Sequence, residues 1–377
     1  MEPRLVVALA TCAFEAYSDP DPRQIIRECG SDTTVTYLTR DHIRVFPSTP
    51  QTKRTLYELV SNYRGVLKAM YTWAWGQLFA SRDWRSLSID AGMYRFWQPI
   101  AVLSNIKLDT QAWIYLDRAE REVVIAFRGT EGLKLLDVLT NLNLRHAPLG
   151  FWEQRREADR GDDEAYDNNK NKEVAYRLVS KHGSEARAHA GFVAAYESVR
   201  SHIMTLVDRE EPTRVYVTGH SMGGALATVC ALDLATRDVG RTTRSYDEVV
   251  MCSFGAPRVG NSAFAAIFNA AVNVSVRWNT DRDIVPTLPA ETMFDQRFTH
   301  VKNDLDDEDE NEDEDEEVVD EWERRKSDAR KHDRGYHRRF GAIEMVFDII
   351  IHSISGKLVD HLPWSYLASL RRVVWPR

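Results

Sequence analysis

The stretch Gly219-His220-Ser221-Met222-Gly223-Gly224 constrains the fold more than any other part of the chain. The apolar run Val215-Tyr216-Val217-Thr218 precedes it, and the small-residue run Ala225-Leu226-Ala227-Thr228-Val229 follows. That order reads as a strand, a sharp turn with a serine at its apex, and a helix. A serine so placed has a strained backbone. A side chain two positions before or after it would collide with the flanking strand and helix, which is why glycine stands at 219 and 223.

The chain has 377 residues, enough for one large domain or two ordinary ones, and its 43% hydrophobic content supplies a sizeable core. No apolar run approaches the ~20 residues of a membrane span, so an integral membrane protein is not expected. The net charge of -8 is unevenly spread. Fifteen acidic residues and no basic ones lie between Asp304 and Glu323; the rest carries 49 Lys and Arg against 42 Asp and Glu, a net of +7. This mildly basic remainder suits an anionic membrane surface. The acidic run reads as solvated and disordered, and it lacks the loop spacing and turn glycine of a calcium site. Arg324 to Arg339 follows with eight Arg or Lys, a segment that can pair with the acidic run or touch lipid headgroups. The adjacent acid would repel phosphate, which argues against nucleic acid as a partner.

Cys12, Cys29, Cys230 and Cys252 have no regular spacing. Cys230 and Cys252 read as buried free thiols, which favours a reducing, intracellular compartment for a soluble or peripheral protein. Leu5 to Phe14 is a short apolar run that reads as an amphipathic first helix rather than a signal peptide, because Glu2 weakens its charged end and no good cleavage site follows. Residues 1–100 read as a mostly helical region packed on an α/β domain at 101–377, with a disordered acidic insertion at 303–335. Leu67 to Phe79 is the clearest apolar-aromatic segment there and reads as a core helix. Ala112 to Leu116 and Val123 to Phe127 form a hairpin pattern. Residues 150–188 read as a long polar surface excursion, with order returning at His189 and a helix following Gly191-Phe192. Further strand patterns are Val215 to Thr218, Val249 to Phe254 and Val274 to Trp278. Strands alternating with helices imply a largely parallel sheet flanked by helices.

G-x-S-x-G between a strand and a helix is the nucleophile elbow of α/β-hydrolases. A serine hydroxyl is a weak nucleophile, so it needs a general base and a group that fixes the base's tautomer. The chain order on this fold is serine, acid, histidine. The strand Val274 to Trp278 leads into Asn279-Thr280-Asp281-Arg282-Asp283-Ile284-Val285-Pro286, where two aspartates compete. Asp283 is favoured because the apolar Ile-Val-Pro segment would orient it and limit its solvation; Asp281 would face water or cap the turn. Of the five histidines that follow, His332 and His337 sit among charges, and His300 comes too soon after Asp283 for a separate terminal loop. His352 lies in an apolar segment, and His361 follows the last core segment, where a base belongs. His361 is favoured. The oxyanion of acyl transfer needs two backbone N–H donors. Met222 supplies one, and Thr130, after the strand Val123 to Phe127, is the natural second; Arg128 reads as an anchor of that turn.

The sequence resembles the class 3, fungal lipase-like lipases. The matching pieces are Phe127-Arg128-Gly129-Thr130, His189-Ala190-Gly191-Phe192, the hexapeptide at 219–224, Phe254-Gly255-Ala256-Pro257-Arg258-Val259-Gly260-Asn261, Asp283-Ile284-Val285-Pro286 with Leu288-Pro289, and Asp360-His361. They occur in the family's order over about residues 105–365. The resemblance implies an α/β-hydrolase fold, Ser221, Asp283 and His361 as the triad, and Thr130 and Met222 as the oxyanion hole, with neither metal nor cofactor. It is closer to the intracellular plant and algal members, which carry a segment like Asp109-Thr110-Gln111. It departs in the 78-position gap from Asp283 to His361 and in Val138, where many relatives have tryptophan. The implied activity is hydrolysis of acyl esters of glycerolipids at a membrane or lipid-droplet surface. The leucine-rich segment Glu131 to His146 reads either as a lid that opens at a lipid surface or as a connector packed on the sheet. The rival reading of the whole chain is an inactive lipase-like scaffold that binds lipid or protein, which an activated-serine probe distinguishes.

Overall fold

Val123 to Phe127 and Val215 to Val217 are apolar at every position, the pattern of strands covered on both faces. A computed structural model describes residues 1, 3–20, 26–29, 32–38, 45–47, 97–129, 145–150, 178–179, 182–237, 246–280, 283, 285–289, 291–293, 296–305, 361, 365–366 and 369–370. In chain order its elements begin with helix α1 (Pro3–Glu15) and strands β1 (Ser18–Pro20), β2 (Ile26–Cys29), β3 (Thr33–Tyr37) and β4 (Val45–Pro47). Next come β5 (Gln98–Asn105), β6 (Thr110–Asp117), β7 (Glu122–Phe127), β8 (His146–Pro148) and β9 (Arg187–His189). Helix α2 (Ala190–Glu210), β10 (Arg214–His220), α3 (Met222–Thr236), β11 (Glu248–Phe254), α4 (Ser262–Ala271) and β12 (Val274–Trp278) complete the set used below.

Eight strands form one sheet in the order β12-β11-β10-β7-β6-β5-β3-β2. β7, β10, β11 and β12 run parallel, in the register Val215 beside Val123 and Val249, and Cys252 beside Val276. β6, β5, β3 and β2 continue the sheet with antiparallel pairings. Side chains alternate between two cores. Val123, Ile125 and Phe127, Val215 and Val217, and Val249 and Met251 share one with residues of α2, α3 and α4. Val124, Ala126, Tyr216, Val250, Cys252 and Phe254 share the other with α1. Helix α3 is buried along nearly its whole length, and its small residues Gly223, Gly224, Ala225, Ala227 and Ala231 let it lie close to the sheet. Its one acidic residue, Asp233, is neutralised by Arg200 Nε at 2.5 Å and takes the Tyr196 hydroxyl at 2.6 Å. This is the α/β-hydrolase arrangement that the elbow motif implies: a helix follows a central parallel strand, and ligands meet the sheet beyond the carboxyl ends of its strands.

The hairpin at 112–127 and the strands at 215, 249 and 274 form as expected, and Cys12, Cys230 and Cys252 are buried free thiols. One expectation is corrected and another is met only at its edges. The described part of residues 1–100 is helical at α1, while β2 and β3 extend the sheet, Val35 pairing with Leu103 and lying buried in the core; residues 48–96 lie outside the described residues. β-branched residues at Thr33, Thr34, Val35 and Thr36 favour that extended edge over a helix. The end of the 150–188 stretch is core rather than polar surface: Ala186 and Ala188 are buried, and β9 pairs with β8. Leu67 to Phe79, residues 131–144 of the lid candidate, the acidic run beyond Leu305, the basic segment, and His332, His337 and His352 lie outside the described residues. No helix among the described residues is long and apolar enough to cross a membrane, and no described cluster of His, Cys, Asp and Glu is arranged to hold a metal.

Candidate active site

Strand β10 ends at His220 and helix α3 begins at Met222, so the chain reverses at one residue, Ser221. Its backbone has φ 59° and ψ -128°, outside the regions that L residues favour and of a kind that costs roughly 1–3 kcal/mol. The surroundings enforce it. Ser221 N–H donates to the Phe254 carbonyl at 2.9 Å, and Ser221 O accepts from Gly224 N–H at 2.9 Å. A Cβ at 219 would overlap the backbone of Gly223, and one at 223 would overlap the Phe127 carbonyl. The two glycines thus let strand, helix and the end of β7 touch backbone to backbone. The Met222 amide heads α3, at the positive end of the helix dipole.

Asp283 lies five residues beyond β12 and is 5% exposed. Among the described residues, three donors converge on its carboxylate. Val285 N–H reaches Oδ1 at 2.8 Å; His361 Nδ1 reaches Oδ2 at 2.6 Å; and the Tyr366 hydroxyl reaches Oδ2 at 2.5 Å. A carboxylate only accepts, so His361 carries its proton on Nδ1 and leaves Nε2 as an acceptor. Burial, and then the Asp283 charge, push the Tyr366 phenol well above its ordinary range, which keeps it a donor. Gly255, with φ 59°, gives this pair room, since a Cβ there would stand 2.6 Å from Tyr366 Oη and 2.8 Å from Asp283 Oδ2.

His361 is 4% exposed. Ser221 Oγ and His361 Nε2 are both buried and make no hydrogen bond among the described residues. A serine hydroxyl and an imidazole nitrogen left without partners are the groups that a nucleophile and its base would present to a substrate oxygen, and such contacts often tighten only when substrate binds. The imidazole of His220, next to the serine, stacks on that of His361 with centroids 4.7 Å apart. Its Nε2 lies 2.7 Å from the His361 carbonyl and its Nδ1 lies 2.9 Å from the Tyr17 hydroxyl.

The structure therefore brings Asp283 and His361 into direct contact beside the elbow that carries Ser221 and Met222. Thr130 and the rival Asp281 lie outside the described residues. The approach to Thr130 is described: Arg128 donates to Gln111 Oε1 at 3.0 Å and pairs with the Asp109 carboxylate. That is the anchoring duty expected of it. His300, set aside on sequence grounds, is occupied elsewhere, with Nε2 2.8 Å from the Pro286 carbonyl. Sequence reasoning missed Tyr17, His220 and Tyr366. His220 and Tyr366 sit near the serine and the histidine in the chain, a signal of sorts, whereas nothing local marks Tyr17.

Residues 124–293 match the family model described as lipase (class 3). A lipase of Rhizomucor miehei is 38% identical over 198 residues, covering 50% of this chain and 44% of that protein. The chloroplastic phospholipase A(1) DAD1 of Arabidopsis thaliana is 30% identical over 194 residues, covering 48% of this chain and 37% of that one. The triacylglycerol lipase OBL1 of the same plant is 29% identical over 207 residues, covering 48% and 37%. The chain spans less than half the length of these curated relatives.

Proposed function

We propose that this chain, a member of the class 3 lipase family through residues 124–293, is a serine esterase that hydrolyses acyl ester bonds of glycerolipids at a membrane or lipid-droplet surface. The observation that carries the reading is the buried Asp283–His361 pair at 2.6 Å, beside a strained elbow serine whose Oγ makes no hydrogen bond among the described residues. Ser221 Oγ attacks the ester carbonyl while His361 Nε2 takes its proton. Asp283 holds the Nδ1–H tautomer and stabilises the imidazolium. The amides of Met222 and Thr130 receive the oxyanion. His361 then returns the proton to the leaving alcohol, and water, deprotonated by the same histidine, releases the fatty acid from the acyl-enzyme. Substrates of the triacylglycerol and phospholipid types both fit this chemistry, as the names of the relatives illustrate, and galactolipids carry the same acyl ester.

A fluorophosphonate probe and a panel of emulsified glycerolipids test the reading together. Wild-type protein is expected to be labelled and to release fatty acid, and Ser221→Ala to do neither, losing ~10⁵-fold or more in kcat. Full hydrolysis by Ser221→Ala would refute it. An unlabelled wild-type protein that still binds lipid would favour the inactive scaffold.

A further inference from the structure

His361 is held at two points. Its ring is anchored through Nδ1 to Asp283, and its backbone carbonyl lies 2.7 Å from His220 Nε2. A carbonyl oxygen only accepts, so His220 bears its proton on Nε2 and donates it there. In a neutral ring Nδ1 is then an acceptor, and the Tyr17 hydroxyl donates to it at 2.9 Å. Burial, and then the neighbouring His361, hold His220 well below the usual imidazole range, so the ring stays neutral and in this tautomer. The two imidazole planes lie 30° apart, and Phe14 meets the His220 ring edge-on at 5.5 Å.

Tyr17 sits just beyond α1, whose Val6, Val7, Leu9 and Phe14 are almost fully buried. Burial of those apolar side chains makes the helix a firm support. Tyr17 also lies against the loop at the end of β7: a Cβ on Gly129 would overlap both Tyr17 Oη and the His220 carbonyl. Its hydroxyl thus stands between the elbow and the turn that leads to Thr130. An acid contact alone leaves the base free to pivot about one hydrogen bond, and a displacement near 1 Å can cost about 10²-fold in rate.

We propose that Tyr17 and His220 are positioning residues for His361, the chain Tyr17 O–H to His220 Nδ1 and His220 Nε2–H to the His361 carbonyl setting the depth and ring plane of the base opposite Ser221. This rests on the triad reading above and extends it. It gives the N-terminal helix, which precedes the residues matched by the family model, a duty in the reaction.

The test compares His220→Leu, His220→Gln and Tyr17→Phe, using kcat and KM on a soluble p-nitrophenyl ester, thermal melting, and ¹⁵N-imidazole NMR. Glutamine sets an amide N–H where Nε2–H was, and leucine sets none. Expected are a fall in kcat of ~30-fold or more for His220→Leu, at most ~5-fold for His220→Gln, and ~5- to 10-fold for Tyr17→Phe, each with KM within ~2-fold. NMR is expected to show one neutral, Nε2-protonated His220 whose signals move in Tyr17→Phe. Wild-type kcat in a folded His220→Leu, or glutamine as low as leucine, would overturn the proposal. If the leucine variant does not fold, Tyr17→Phe decides, and wild-type kcat there overturns it. An Nδ1-protonated His220 refutes the relay whether or not the chain is a lipase. An intact relay in a protein that no fluorophosphonate labels refutes the triad reading instead, and the proposal falls with its premise.

Discussion

Replacing Asp283 with asparagine removes one charge and almost no volume, yet the donor count around it makes the consequence large. Three hydrogens point at the carboxylate, from Val285 N, His361 Nδ1 and Tyr366 Oη at 2.8, 2.6 and 2.5 Å. Asparagine offers one acceptor oxygen and an amide nitrogen that is itself a donor. If its oxygen faces His361 and Tyr366, the amide meets Val285 N–H head-on and leaves it buried and unpaired, at about 1–3 kcal/mol. If its nitrogen faces His361, the imidazole must move its proton to Nε2, and the base then has nothing with which to take the serine proton. In both cases the imidazolium loses the charge that stabilises it. The expected result is a kcat loss of about 10³- to 10⁴-fold, the scale typical of a triad acid made neutral, with ~2–4 kcal/mol of stability lost as well. Hydrolysis of a soluble p-nitrophenyl ester and the rate of fluorophosphonate labelling measure the first; urea denaturation measures the second. A folded Asp283→Asn protein within ~10-fold of wild-type kcat would refute the assignment of Asp283 as the acid.

Gly223→Ala drives a methyl into the Phe127 carbonyl and within 2.8 Å of Arg128 C. About 1–3 kcal/mol of stability should be lost, along with at least ~10-fold in kcat, because the displaced strand leads directly to Thr130. Urea denaturation and ester hydrolysis read the two, and wild-type values in both would contradict the backbone contact. His189 is buried, and its Nδ1 accepts the Gly191 amide at 3.1 Å at the start of α2. Burial, and then His146, lower its pKa to about 4. The unfolded chain takes up this proton near the ordinary pKa of about 6.5 and the folded chain does not, so stability should fall as pH drops from ~6.5 to ~4, by at most ~3 kcal/mol from this group. His189→Asn keeps an acceptor for Gly191 N–H and cannot titrate, so its urea midpoint should vary less between pH 7 and pH 5; an unchanged pH dependence would contradict the assignment.

The elbow was legible because its constraint is local. A strand, a one-residue reversal and a helix need glycine at 219 and 223 for reasons that involve only near neighbours in the chain, and the same is true of the hairpin at 112–127. Asp283 was legible one step less directly, through the apolar segment after it, whose Val285 amide does fix its orientation. The strands β2 and β3 were not. Short, weakly alternating segments take their state from the partner they pair with: β2 pairs with β3, and β3 pairs with β5, some 60 residues away. Thr130 and residues 131–144 of the lid candidate lie outside the described residues and stand as readings of the sequence.

Local pattern alone placed a serine at the apex of the elbow, marked the central strands as apolar throughout, and left a short list of candidate acids and bases. The assembled fold set how Asp283 and His361 meet. His361 reaches Asp283 across 78 residues, and Tyr17 reaches His220 across 203. No periodicity or motif encodes such pairings. Distances of this kind are set by how the N-terminal helix and the C-terminal segment pack on the same end of the sheet, a property of the assembled core rather than of any stretch of the chain.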